Sequence, residues 1–212
     1  MITLTVASPL LLQLGQGADT HLLNATVVYS EALTANLFFN FASKLSARRP
    51  RPYTHSMPAK ADPDPDDRNV SFYSGHSSTA FTAAVAGSLL FAESAPDRAS
   101  RHLVWGLELA LASATANLRV RAGKHYYSDV VVGGLVGSGI GILVPVLHGA
   151  RRAPEATEYL AAGGGLLSGV VVSALLKLKQ DSPPLKAKAS VDWQLGPWTA
   201  PGGVGLSASG RY

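Results

Sequence analysis

The chain has no cysteine. Disulfide cross-links, thiolate zinc sites and cysteine nucleophiles are therefore excluded, and cysteine usage leaves the redox compartment open. Charge is scarce too. Asp, Glu, Lys and Arg make up 15% of the 212 residues, against about 25% in an ordinary soluble domain. With 47% hydrophobic residues and a mean hydropathy of +0.16, a disordered chain is also excluded, because disorder needs low hydrophobicity and high charge. The 21 Gly and 13 Pro follow no three-residue period, which removes collagen. The positive excess is only +4, which fits a small anionic partner better than a nucleic-acid surface. No Lys or Arg precedes Lys44, so the charged start of a secretion signal is missing. Two readings of that beginning stay open: the first segment is itself a membrane helix, or the chain lacks its natural start.

What charge there is comes in clusters. Lys44, Arg48, Arg49 and Arg51 form one basic group, and Arg119, Arg121 and Lys124 another. Asp62, Asp64, Asp66 and Asp67 bunch together. Between them lie charge-free runs over 1–18, 69–92, 130–150 and 159–176. The third is as long as the roughly 20 apolar residues a helix needs to cross a bilayer. It carries Gly133, Gly134, Gly137, Gly139 and Gly141, small residues that let helices approach closely. We read a membrane-embedded bundle, with a buried helix of a soluble all-α domain as the rival.

The pattern predicts an all-α fold, a bundle of five or six helices with a short C-terminal β-hairpin. Helices are expected over 2–14 and 24–47, the latter ending before Pro50 and Pro52. A third starts at a cap on Ser77 or Ser78 and ends before Pro96. A fourth runs over 98–118, and a fifth from Tyr126 or Ser128 to Leu147. A sixth over 157–179 is weakened by Gly163, Gly164, Gly165 and Gly169, at about 1 kcal/mol each relative to Ala. Tyr53–Phe72 reads as a solvated polar loop. Its Asp run lacks the glycine and terminal Glu of an EF-hand calcium site. Two apolar stretches, 191–195 and 204–209, read as the hairpin. Residues 1–150 form the main domain, and 151–212 an extra apolar segment with the tail.

Three places join cations to histidine or a tight glycine turn. Lys44 and Arg51-Pro52 close the first helix-to-loop transition. Ser74-Gly75-His76 leads into a helix start, where free N–H groups and the dipole favour an anion. Arg119, His125 and Asp129 form the third, with His125 and Asp129 four residues apart. Singly, each has a bland explanation: a membrane-interface anchor, a polar cap, a surface pair. Fixed cations suit a phosphoryl group, whose oxygens carry the charge of the transition state. Arginine offers a planar fork to phosphate oxygens, and Gly75 permits close backbone approach.

In order and spacing the three places resemble the motifs of the type 2 phosphatidic acid phosphatase superfamily. That family is similar to bacterial class A acid phosphatases and vanadium haloperoxidases. The resemblance covers residues from about 25 to 150. It departs at Tyr73, where the family has Pro before Ser-Gly-His, and at Leu118, where it has Ser before the arginine. It implies that Lys44, Arg51, Ser74, Gly75 and Arg119 bind phosphate. It implies His125 as nucleophile through a phosphohistidine, Asp129 as the partner of its other ring nitrogen, and His76 as acid and then base.

The expected activity is metal- and cofactor-free hydrolysis of a phosphate monoester or pyrophosphate, with a membrane lipid as substrate and no nucleic-acid partner. The resemblance places the protein in a bacterial inner membrane, its site facing the periplasm. Rivals are a soluble periplasmic acid phosphatase, a vanadium-type haloperoxidase and a non-catalytic protein that binds anionic lipid. His21, His55, His102 and His148 join no motif and are read as loop or interface residues. Trp105, Trp193, Trp198, Tyr126 and Tyr127 suit an interfacial belt or core packing equally. Arg121 and Lys124 suit a second phosphate contact or a solvated basic loop.

Overall fold

The computed structural model describes residues 1–15, 20–55, 66–95 and 97–176 with their side chains. Pro65 and residues 192–200 and 203–211 are described by backbone alone. Six α-helices follow one another: α1 (Ile2–Leu14), α2 (Thr20–Ala47), α3 (Gly75–Ser94), α4 (Arg98–Arg121), α5 (Tyr127–Leu147) and α6 (Ala156–Leu175). Between α2 and α3 the chain makes two 3₁₀ turns, Pro52–His55 and Pro65–Asp67. The helical reading is met. The expected hairpin is not supported: among the residues described with side chains there is no strand, and an isolated two-stranded hairpin is marginal in any case. Trp193 and Trp198 lie outside those residues.

Helix α2 begins at Thr20 rather than 24 and α6 ends at Leu175 rather than 179, and two further boundaries bear on the site. Helix α3 is capped by Ser74, whose side chain accepts from Ser77 N–H, one turn earlier than the serines proposed. Ser77 instead donates its hydroxyl to Val130 O at 2.8 Å. Helix α4 runs on to Arg121, so Arg119 sits in its last turn. Gly123 then turns the chain at φ +66, a conformation that costs glycine little.

Helix α3 lies at the centre, packed on α1, α2, α4 and α5, and α6 lies along α4. The interior mixes apolar side chains such as Leu89, Leu90, Trp105 and Leu109 with many small and polar ones. Ala80, Ala83, Ala84, Ala86 and Ala112 are fully buried, and so are Thr82, Asn36, Ser77 and Glu108. Other large apolar side chains point outward, among them Phe38, Phe41, Leu135, Leu147, Leu160 and Leu167. A helix of a soluble domain does the reverse. Trp105 is buried and packs in the core beside Leu89 and Leu109, whereas Tyr127 is exposed. Helices α5 and α6 are long and apolar enough to cross a membrane.

Glycines set the closest approaches. A Cβ on Gly133 would stand 2.8 Å from Ser74 O, and one on Gly137 would stand 2.2 Å from Ser78 O. Helix α5 can therefore lie directly on the backbone of α3, and Thr82 Oγ1 donates to Gly137 O at 3.0 Å across the contact. Gly165 and Gly169 bring α6 against Gly106 and Ala110 of α4 in the same way. At the end where α6 begins, buried Glu158 accepts from Arg101 at 2.9 Å and Arg152 at 2.8 Å. This cluster clasps the first turns of α4 and α6. The opposite end gathers the C-terminal turns of α2 and α4 and the first turns of α3 and α5.

Candidate active site

That opposite end holds all three motifs. Lys44 comes from the last turn of α2, His76 from the first turn of α3, Arg119 from the last turn of α4 and Asp129 from the first turn of α5. Arg51 and His125 come from the loops between. The α3–α5 contact explains why the second and third motifs meet, since Ser74 N–H donates to Asp129 O at 3.1 Å. Asn40 of α2 donates to Tyr73 O at 2.9 Å. A Cβ at position 75 would lie 2.7 Å from Asn40 Oδ1, so Gly75 is what lets α2 close on the turn. Tyr73, in the place of a proline, is buried there.

His125 is 2% exposed and its ring is held from both sides. Nδ1 is 2.8 Å from Ser71 O, and a carbonyl can only accept, so Nδ1 carries the proton. Nε2 is 3.0 Å from Arg51 Nη1, and a guanidinium can only donate, so Nε2 keeps its lone pair. One tautomer follows, with Nε2 turned toward the cations. Asp129 Oδ2 stands 3.7 Å from Nδ1, too far for a hydrogen bond. Its carboxylate is fully buried. It accepts instead from Ser71 Oγ at 2.5 Å, Tyr126 N–H at 3.0 Å and Arg49 Nη1 at 2.7 Å. Arg49 also lies over the Tyr126 ring at 4.1 Å. Asp129 thus acts on His125 across a short gap, by charge and through Ser71.

Arg51 is buried and almost fully engaged. Nε donates to Asp67 O and Nη1 to Lys124 O, each at 2.8 Å, and Nη2 pairs with Asp67 Oδ1 at 2.5 Å. Backbone bonds from Arg51 N to Arg68 O at 2.8 Å and from Ser71 N to Arg49 O at 3.0 Å bind the two loop segments. Arg119 differs: its buried Nε has no partner among the described residues. Burial is the first cause that pulls the His76 pKa down to about 4, followed by the positive charge of Arg119 and then by His125, Lys44 and Arg51. Burial likewise lowers His125, opposed by Asp129 and reinforced by Arg51 and Arg119. Both rings lie at the end of the bundle, clear of the apolar spans. The electrostatic coupling puts Lys44, Arg51, Arg119, His76 and His125 in one environment.

Three participants escaped the sequence reading. Ser71 and Arg49 contact His125 or Asp129, and Asp67 contacts Arg51. Nothing in the residue pattern marks Ser71. Arg49 was visible only as part of a basic group, and the Asp run was taken for a solvated loop. Arg121 turns away from the site and donates to Ser173 O and Leu176 O, where a cation also suits the end of α6. Lys124 covers the Tyr53 ring at 4.5 Å. Of the other histidines, His55 meets Tyr126 Oη at 3.0 Å, His102 meets Thr157 Oγ1 at 2.9 Å and His148 meets Glu31 at 2.7 Å. A cleft of about 190 Å³ at the far end is lined by His21, Asn24, Val28, Leu90 and His148. It contains none of the motif residues.

A family model described as the PAP2 superfamily matches residues 25–153. That span takes in α2 from Ala25 onward, α3 to α5 and every motif residue, and leaves α1 and α6 outside. No match was found among curated proteins or among solved structures.

Proposed function

From the premise that the chain belongs to the PAP2 superfamily, whose membership suggests phosphatase-type activity, we propose that it hydrolyses phosphate monoesters or pyrophosphates of membrane lipids without a metal. The observation that carries this reading is the fixed tautomer of His125, its Nε2 lone pair turned to a group of cations in which Arg119 Nε has no partner among the described residues. Buried and rich in positive charge, with a guanidinium N–H of Arg119 left to donate, that group suits a tetrahedral oxyanion.

In the proposed cycle Lys44, Arg51, Arg119 and the N–H groups around Ser74 and Gly75 hold the phosphoryl oxygens. His125 Nε2 attacks phosphorus as the P–O bond to the leaving group breaks. His76 gives that oxygen its proton. The ring of His125, now a phosphohistidine, is cationic, and Asp129 at 3.7 Å steadies it. His76 then takes a proton from water, the resulting hydroxide attacks phosphorus, and the P–N bond breaks to release phosphate. In the free protein His76 is neutral at pH 7. A substrate bound as its protonated monoanion can supply that proton. A dianion offsets the surrounding cations, raises the His76 pKa and lets the ring take a proton from solvent.

Lipid is favoured as substrate by the outward Leu, Val and Phe side chains on α2, α5 and α6 and by the two long apolar helices. The bundle would then lie in the bilayer, with the motif end at headgroup level and facing the periplasm of a bacterial host. The test is a panel of soluble and lipid phosphates, each with EDTA and with vanadate. Turnover that survives EDTA and is blocked by vanadate is expected. Phosphate binding without any turnover would favour a non-catalytic anion binder instead.

A further inference from the structure

The acidic run ahead of the second motif was read as solvent-facing, and the structure puts one member of it into the cation group. Asp67 is about one quarter exposed and grips the Arg51 fork twice, through Oδ1 at 2.5 Å and through its own carbonyl at 2.8 Å. Its other oxygen is 3.8 Å from Lys124 Nζ. Its negative charge also reaches Lys44 and Arg119. Arg51 therefore already meets a carboxylate oxygen with one fork nitrogen, Nη2, and a carbonyl with another, Nε. A guanidinium carries five N–H donors, and Asp67, Lys124 O and His125 Nε2 take four of them.

We propose that Asp67 is a specificity-determining residue, a resident carboxylate that an incoming phosphate must displace from Arg51. The proposal rests on the reading of this end of the bundle as an oxyanion site. A monosubstituted phosphate brings up to two negative charges and three equivalent oxygens, enough to replace Asp67 on Arg51 while also engaging Lys44 and Arg119. A phosphodiester brings one charge and gains less from the exchange. Asp67 thus raises the threshold for all anions and raises it most, relative to what is gained, for diesters and carboxylates. Removing the carboxylate's charge removes a like-charge neighbour of the bound phosphate.

The test compares wild type and Asp67→Asn in detergent micelles. KM is measured for p-nitrophenyl phosphate and for short-chain phosphatidic acid, Ki for inorganic phosphate, and the rate for bis-p-nitrophenyl phosphate. KM for both monoesters and Ki for phosphate are expected to fall about tenfold, with a smaller change in kcat, and monoester preference over the diester is expected to narrow. A simple loss of structure cannot tighten binding. Unchanged or raised KM and Ki would overturn the proposal and make Asp67 a support for Arg51. If Asp67→Asn does not fold, Asp67→Ser is read against the same two outcomes. Failure of the phosphatase reading looks different: wild type itself would neither turn over these esters nor bind phosphate.

Discussion

His125 is where residue identity and position can be told apart. An imidazole buried to 2% exposure has two nitrogens to satisfy, and here one is given to a carbonyl and the other to a guanidinium. In the proposed cycle Nε2, already unprotonated, attacks phosphorus once the Arg51 N–H gives way to it. His125→Ala is expected to abolish both turnover and trapping of a phosphorylated protein in acid-quenched samples. His76→Ala is expected to leave trapping intact with an activated aryl ester, whose leaving group needs no proton, and to slow alkyl esters by about 10² or more. Full activity in the His125→Ala protein would reject the scheme.

The same residues predict a pH effect whose sign can be worked out. The folded pKa of His76, about 4, lies below its ordinary value of 6.5. A bound anion offsets the cations that help depress it, so binding raises that pKa. Between about 4 and the raised value, phosphate binding takes up a proton and affinity increases as pH falls. Calorimetric titrations with inorganic phosphate in two buffers of different ionisation heat should show net proton uptake near pH 6. Equal heats in both buffers would contradict it. For folding itself the sign is opposite: the unfolded chain holds the extra proton, so stability declines as pH drops from 6.5 toward 4.

At the scale of elements, the α3–α5 contact decides whether the motifs meet. Ser74 N–H reaches Asp129 O because glycines on α5 leave no side chain between the two backbones. A Cβ at position 137 would fall 2.2 Å from Ser78 O, a backbone atom that cannot swing away. Gly137→Ala is expected to cost about 1–3 kcal/mol by overpacking, visible as a lower midpoint in a thermal scan. Activity should fall more than the folded fraction does. Gly139 has open space around its position, and Gly139→Ala should be neutral or slightly stabilising through helix propensity. Equal effects at the two positions would show that the spacing of α3 and α5 does not matter to the site. Helix α6, outside the family match, is tied to the motif end by Arg121 and by Asn117, which donates to Ser173 Oγ at 2.8 Å.

Over the described residues, large apolar side chains lie outside as well as inside. Ala, Gly, Ser and Thr take much of the middle beside Leu89, Leu90 and Trp105, while Phe38, Leu135, Leu160 and Leu175 cover the outside. In water such a surface would drive association, since exposed apolar patches of that extent are rarely tolerated. In hydrocarbon it is the stable arrangement, because lipid tails solvate the outer side chains and small residues supply close helix packing. The protein is therefore expected in the membrane fraction, resistant to carbonate and high salt and released by detergent. Recovery in the soluble fraction without detergent would favour the acid-phosphatase alternative.

How much of this could be read from residue order depends on range. Helix α1 at 2–14 and the end of α2 at Ala47 follow from neighbours a few positions away, through apolar runs and prolines. The three motifs were legible because Lys44, Ser-Gly-His76 and Arg119–Asp129 keep their order and spacing along the chain. The cap of α3 was misplaced because Ser74, Ser77 and Ser78 are equivalent locally. Only the proximity of Val130 O assigns Ser77 elsewhere. Ser71 and Arg49 went unnoticed for the same reason, since their roles consist of contacts with residues 54 to 80 positions distant. Asp67 looked like one charge among four. Residue order alone was enough for the helices and for the family's three motifs, because propensity and motif spacing are short-range properties. Which nitrogen of His125 carries the proton, what Asp129 touches and which carboxylate sits on Arg51 were decided by packing, because hydrogen bonds in a buried site are fixed by whichever groups the fold brings within about 3 Å.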